Sequence, residues 1–348
     1  MAELAIELEK LSVRRGTYLA VDAVDLSVEP GSIVALVGAS GCGKTSLLRA
    51  IAGLERPTAG AISIDGVRVS GPGRWVEPEG RCVGMVFQEA ALFPHLDVWR
   101  NILFGVHRLS DADHRAQSAL DLVGLSELRA RFPNELSGGQ QHRVALARAL
   151  APSPKLILLD EPFAALDAGL RERVRAEVQE ILESSGTTAL LVTHDQQEAL
   201  SFATTVAVMH QGKVLQSGPP EEIYFRPNCE EVAEIIGAGF WVECEVTDGR
   251  FDCRFGSGAC NTTCGEGKVF IRPGDFLLVE ADRFQKRCGT LENRKFFGHE
   301  VTYRIRLDDG ERVEVRSLAT IDLELGSRYH LELREGSFQV LPRSSQSL

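Results

Sequence analysis

Gly38-Ala39-Ser40-Gly41-Cys42-Gly43-Lys44-Thr45 decides the fold, read with the Ile33-Val34-Ala35-Leu36-Val37 before it and the Ser46-Leu47-Leu48-Arg49-Ala50-Ile51-Ala52 after it. The octet matches G-x-x-x-x-G-K-[ST], a glycine-rich turn between a strand and a helix. The apolar run before it suits a buried strand. The run after it is helical in pattern and ends at Gly53, a residue suited to a helix C-terminus. In this setting Gly38, Gly41 and Gly43 let backbone N–H groups turn inward around phosphate oxygens. The helix start adds partial positive charge. Ser40, Cys42 and Ser46 lie on the same path and belong to the expected nucleotide contacts. Lys44 brings an ammonium to the β- and γ-phosphates, and the Thr45 hydroxyl can ligate Mg²⁺. A 348-residue chain would carry this motif by accident about one time in a hundred on average residue usage.

Working outward, Leu156-Ile157-Leu158-Leu159-Asp160-Glu161 is an apolar run closed by two acids. Asp160 is expected at the C-terminal end of a buried strand, where α/β sheets hold ligands. It can hold Mg²⁺ there, and Glu161 can polarise an attacking water. The plain alternative is two acids opening a loop. Ala189-Leu190-Leu191-Val192 is a third apolar run, and Val174, Val178, Ile181 and Leu182 recur between the two on one helical face. Alternating strands and helices imply an α/β domain with a parallel sheet. Leu136-Ser137-Gly138-Gly139-Gln140 precedes the helical stretch Gln141 to Leu150. Its small residues leave N–H groups and a hydroxyl open at a helix start, a second anion site. A second phosphate site beside a single glycine-rich loop is odd unless it serves another subunit's nucleotide.

Together these motifs resemble the ATP-binding cassette (ABC) family. Gly38–Thr45 resembles its Walker A motif, Leu136–Gln140 its signature motif and Leu156–Glu161 its Walker B motif. The resemblance implies further roles. Gln88 in Val86-Phe87-Gln88-Glu89 is the Q-loop glutamine, near the metal and the water. Asp167 is the D-loop aspartate, and His194 in Val192-Thr193-His194-Asp195 is the switch histidine that contacts the γ-phosphate. The implied catalytic set is Glu161, His194 and Gln88. The implied Mg²⁺ set is Thr45, Gln88 and Asp160. Ser137, Gly138, Gly139, Gln140 and Asp167 join the ATP contacts. The implied fold is an α/β P-loop NTPase, with a RecA-like core and antiparallel β and helical subdomains. Its cofactors are ATP and Mg²⁺. Two copies face head to tail, with each ATP between Lys44 of one and Ser137 of the other. The family stacks adenine on an aromatic residue just after the first strand. Here that position falls on Arg15, with Tyr18 three residues on. Arg15 could lie flat on the base, or Tyr18 could reach it; a third possibility is that neither does. Tyr18 is favoured, because a neutral ring meets adenine without desolvating a charge.

The remainder of the chain sets the context. Hydrophobic residues make up 44% and charged residues 25%, with a net charge of -11. That is the profile of a globular protein and a poor general match for nucleic acid. No run of about 18 apolar residues appears, and the N-terminus lacks a signal-peptide pattern. The chain is therefore expected to stay in the cytoplasm, and the resemblance implies the cytoplasmic face of the inner membrane, beneath permease subunits on other chains. After Pro219-Pro220 two short helices are expected, near Glu221 and over Glu230–Ile236. Beyond Gly237-Ala238-Gly239 the apolar period becomes two: Val301, Tyr303, Ile305 and Leu307, then Tyr329, Leu331 and Leu333. Asp308-Asp309-Gly310 reads as a hairpin turn. The expected domains are an ATPase over 1–236 and a small all-β, OB-like barrel over 237–348.

Leu92 to Ile102 resembles the helical-subdomain entry of bacterial importer ATPases, which contacts the permease. Ile271-Arg272-Pro273-Gly274-Asp275 resembles the Ile-Arg-Pro-Glu segment of their TOBE-type domain, with Gly274 where Glu is usual. Ile235 to Trp241 resembles the ferric-iron members most, and an extracellular or periplasmic solute-binding protein is an indirect partner. Polyamine, sulfate or sugar uptake is the alternative, and a soluble non-transport ABC ATPase the rival class. Six of eight cysteines fall between Cys229 and Cys288. Cys244, Cys253, Cys260 and Cys264 lack paired C-x-x-C spacing, so buried strand positions are expected for the first two rather than a metal site.

Overall fold

Short, wholly apolar runs make the central sheet, because strands covered on both faces carry no alternation. The computed structural model describes residues 3–164, 166–280, 287–319 and 323–342. Two compact units divide the chain, Met1–Pro220 and Glu221–Leu348.

The first unit begins with β1 (Ile6–Arg15), β2 (Tyr18–Val28), β3 (Ile33–Val37) and α1 (Lys44–Ala52). Next come β4 (Ala59–Ile64), β5 (Val67–Gly71), β6 (Arg74–Trp75) and β7 (Val83–Val86). Three helices follow, α2 (Val98–Leu103), α3 (Ala112–Leu122) and α4 (Gly138–Leu150). Then β8 (Leu156–Asp160), α5 (Ala168–Ser185), β9 (Thr188–Thr193), α6 (Gln196–Phe202), β10 (Thr205–His210) and β11 (Lys213–Gly218) complete it. Strands β7, β8, β9, β3 and β10 run parallel in that order, and β11 adds an antiparallel edge. A separate antiparallel sheet has the order β2-β1-β4-β5-β6.

Helix α1 packs against strands of both sheets. Its Leu47, Leu48 and Ile51 are fully buried in the core those sheets share. Burying a side chain of that size stabilises by about 1.5–3 kcal/mol. The loop between β3 and α1 is thus anchored by a helix with most of its residues buried. Helices α2, α3 and α4 pack on one another as a helical layer. On α5, Val174, Val178, Ile181 and Leu182 are all buried, as their spacing requires. No helix among the described residues is long and apolar enough to cross a membrane.

The second unit holds α7 (Pro220–Phe225, Pro220 being the last residue of the first unit), α8 (Glu230–Ile236) and two sheets, of six and five strands. The sequence placed the boundary at 236/237; the compact units meet at 220/221. The reason is local: Arg272 Nη2 donates to the Tyr224 carbonyl at 3.0 Å, and Lys268 pairs with Glu230 at 2.9 Å. The period-two residues Val301, Tyr303 and Ile305 are fully buried, and Asp308-Asp309-Gly310 turns the hairpin between 300–307 and 312–318.

Candidate active site

Register brings four segments to one edge of the parallel sheet. Val86 lies beside Leu159, Asp160 beside Val192, and Thr193 beside Val37. Gln88, Glu161, His194 and Gly38 therefore leave the sheet at the C-terminal ends of β7, β8, β9 and β3. That crevice is where open α/β sheets bind ligands.

The loop between β3 and α1 tolerates no side chain at two places. A Cβ on Gly38 would lie 2.1 Å from the Met209 carbonyl oxygen, and one on Gly43 2.1 Å from that of Ala20. Gly43 also adopts φ 113° and caps α1 without a side-chain hydrogen bond. The first N–H groups of α1 are left for a ligand. The helix starts at Lys44, two residues before its apolar pattern does. Lys44 is only 5% exposed. Its ammonium donates to the carbonyls of Gly38 and Ala39 at 2.7 and 3.0 Å and lies 3.7 Å from Cys42 Sγ.

Thr45 Oγ1 donates to Asp160 Oδ1 at 3.4 Å, joining the two oxygens expected at Mg²⁺. Burial, and then the neighbouring charge of Glu161, push the Asp160 carboxyl above its ordinary range. A cation there would relieve both effects, and hard oxygen donors suit Mg²⁺. Among the described residues no cluster of three or more His, Cys, Asp or Glu is placed to hold a metal. Thr45 and Asp160 bring two oxygens together of the kind that suits such an ion. Cys244 and Cys253 are buried cross-strand neighbours in the second unit. The side chain of Cys264 lies outside the described set.

Glu161 holds the left-handed backbone at φ 46°, and its N–H donates to the Val192 carbonyl at 3.0 Å. Its carboxylate meets His194 Nδ1 at 3.1 Å. The structure thus pairs the expected water-polarising acid with the expected switch histidine. Gln88 is exposed in the turn after β7. Asp167 caps α5, its Oδ1 accepting from Leu170 N at 3.0 Å. Ser137 caps α4 in a capping box: its Oγ accepts from Gln140 N at 3.3 Å, and Gln140 Oε1 accepts from Ser137 N at 2.9 Å. Gly138 and Gly139 form the first turn of that helix, which starts three residues before the Gln141 expected from pattern. No hydrogen bond or ion pair among the described residues joins Ser137 to the Lys44 loop.

Arg15 is held in a bidentate pair with Glu55, at 3.1 and 3.0 Å. Tyr18 is exposed, and its hydroxyl donates to the Gly41 carbonyl at 3.4 Å.

Three buried or half-buried groups around this site escaped sequence reading. Arg81 donates to the last carbonyls of α1, Ala50 and Ile51, at 2.8 and 2.9 Å. Glu198 accepts from the Thr193 hydroxyl at 2.6 Å. Arg171 donates to the carbonyls of Phe163 and Leu166. A signal existed for Glu198: Asp195-x-x-Glu198 has capping-box spacing.

Comparison with known proteins agrees with this geometry. The family pattern described as ABC transporter matches residues 21–164, and that described as TOBE domain matches 269–341. The chain is 44% identical over 332 residues to a protein of Rhodococcus jostii named Fe(3+) ions import ATP-binding protein FbpC 3, covering 93% of this chain and 95% of that one. A protein of the same kind from Haemophilus influenzae is 38% identical, over 90% and 93% of the two chains. Among solved structures, cbiO1 from Clostridium perfringens, part of the ABC transporter complex cbiONQ, aligns with TM-score 0.58 and 27% identity. It covers 64% of this chain and 90% of that one. A dimeric ATP-binding cassette in a post-hydrolysis state, bound to ADP and Pi, aligns with TM-score 0.52 and 31% identity, over 62% and 98% of the chains. With a phosphate loop, a carboxylate pair and full-length relatives in agreement, the chain belongs to the ABC transporter family and is one of its ATP-hydrolysing subunits.

Proposed function

We propose that this ATPase works as a head-to-tail homodimer on the cytoplasmic face of the membrane, energising ferric-iron uptake through a separate permease. The observation that carries the cargo is the name shared by relatives along nearly the whole chain, Fe(3+) ions import ATP-binding protein. The segment Leu92 to Ile102 meets the permease, and a solute-binding protein delivers iron to it from outside.

Lys44 exchanges its two loop carbonyls for β- and γ-phosphate oxygens, at little cost because its head group is already desolvated. The free N–H groups at the start of α1 take the remaining phosphate charge. Thr45 and Asp160 would hold Mg²⁺, with Gln88 beside them, and the ion would supply neutralisation of phosphate charge. Glu161 polarises the attacking water, and His194, held by Glu161 at 3.1 Å, reaches the γ-phosphate. Ser137 and Gly138 of the partner subunit close the site from the other side, and Asp167 lies at the same interface. The Tyr18 hydroxyl donates to the Gly41 carbonyl at 3.4 Å, which puts its ring beside the phosphate loop and supports Tyr18 as the adenine-stacking residue.

Deleting the gene in cells without a redundant system tests the cargo. Radiolabelled ferric-iron uptake is expected to fall, while sugar, sulfate and polyamine uptake persist. Unchanged iron uptake with loss of one of the others would replace the cargo and leave the ATPase reading intact.

A further inference from the structure

Arg171 lies on the first turn of α5, four residues after Asp167, and its own N–H donates to the Asp167 carbonyl at 2.8 Å. Its guanidinium does three things at once. Nε donates to the Phe163 carbonyl at 3.2 Å and Nη2 to the Leu166 carbonyl at 2.9 Å. Nη1 lies 3.8 Å from Asp195 Oδ2. Phe163 and Leu166 belong to the loop that runs from Glu161 to Asp167. Asp195 directly follows His194.

The Asp195 side is itself tightly held. Asp195 Oδ1 accepts from Gln197 N and Glu198 N at 2.8 and 3.3 Å, capping α6. The Asp195 N–H donates to Thr193 Oγ1 at 3.0 Å, and that hydroxyl donates to the buried Glu198 carboxylate at 2.6 Å. His194 therefore sits in a turn whose two flanking residues are pinned. Besides the His194–Glu161 pair, the turn has a charged link outward from Asp195 to Arg171. A planar fork with several donors in fixed geometry is well suited to such a junction, and a lysine ammonium is not.

We propose that Arg171 is a positioning residue that locks the Asp167 loop to the His194 turn. Engagement of the Asp167 loop by the partner subunit then sets the reach of His194 toward the γ-phosphate. This rests on the head-to-tail reading given above. Arg171 acts through the loop carbonyls and Asp195, so its effect belongs to the catalytic step rather than to ATP affinity.

The test is a double-mutant cycle on the full-length dimer, with steady-state ATPase, ATP affinity and thermal midpoint read for each variant. Asp195→Asn keeps the helix cap and removes the charge. Arg171→Met and Asp195→Asn are each expected to lower kcat about tenfold, with KM for ATP within about twofold, and the double variant is expected to be no worse than either single one. Arg171→Lys is expected to recover part of the loss. A merely structural role would instead lower the thermal midpoint and ATP affinity together. Losses that multiply in the double variant, or an Arg171→Met enzyme with unchanged kcat, would overturn the proposal. Full turnover by His194→Ala would overturn the switch reading beneath it, a separable outcome.

Discussion

The starts of α1 and α4 are both glycine-flanked helix N-termini, yet they differ in everything that makes a binding site. At α1 the cap is Gly43, with no side-chain acceptor, so the helix N–H groups are left open. A nearly buried ammonium and a carboxylate–hydroxyl pair lie around it. At α4 the cap is Ser137, which already accepts from Gln140 N and is bonded back by the Gln140 side chain. A helix terminus alone is worth only about 0.3–1 kcal/mol to an exposed anion. On the proposed head-to-tail dimer the first terminus serves affinity for ATP, and the second acts on phosphate presented by the partner chain.

The sharpest way to break this comparison is to disable each terminus in turn. Lys44→Ala is expected to weaken ATP binding on the order of a hundredfold, since charge-assisted bonds to two phosphates are lost. Ser137→Arg is expected to leave ATP affinity of the single chain within about twofold and to lower turnover by about a hundredfold, because the ATP-bound dimer no longer closes. Titration with a fluorescent ATP analogue and phosphate-release assays read the two. Equal losses of affinity would erase the distinction.

A smaller effect concerns the base. Tyr18→Ala is expected to weaken ATP binding roughly tenfold, matching about 1.4 kcal/mol of stacking. Arg15→Ala should change it little, because a neutral ring meets the base without desolvating a charge. The reverse order in the same titration would give the stack to Arg15.

The smallest effect is on stability. The Asp160 carboxyl is pushed above its ordinary value of 3.8 by burial and by Glu161. A raised carboxyl stabilises the fold while protonated, so this contribution is whole below pH 3.8 and is lost as pH rises through the folded value. At neutral pH the ionised group is a net cost without metal. Asp160→Asn is therefore expected to raise the nucleotide-free thermal midpoint by about 2 °C, and to forfeit most of the gain that Mg²⁺ with ATP gives the natural chain. Calorimetry with and without Mg²⁺ reads both.

What was legible in the sequence was whatever is local. Gly38–Thr45, the run ending at Asp160 and the Ser137 cap announce themselves, because a few adjacent residues must satisfy one backbone geometry. The period-two stretches of the second unit were legible for the same reason. The rest is non-local. Arg81 meets the end of α1 from 30 residues away, and the Arg171–Asp195 link spans two elements. Pro219-Pro220 does mark a change at the 220/221 boundary, but the bond from Arg272 to the Tyr224 carbonyl, within the second unit, is non-local. Nor does anything in the sequence show that Glu161 and His194, 33 positions apart, would meet at 3.1 Å; β-sheet register does that.

The central claim is that Ser137 acts on the partner's nucleotide. Both lesions are placed in a Glu161→Gln background, where ATP is held without turnover. Chains carrying Lys44→Ala are mixed with chains carrying Ser137→Arg, and tightly retained ATP is counted per dimer after rapid desalting. Neither parent should retain nucleotide. The mixed dimer combines both lesions in one site and leaves the other whole, so it should retain one ATP. A mixed dimer that forms but retains none would place Ser137 on its own chain's nucleotide and contradict the account.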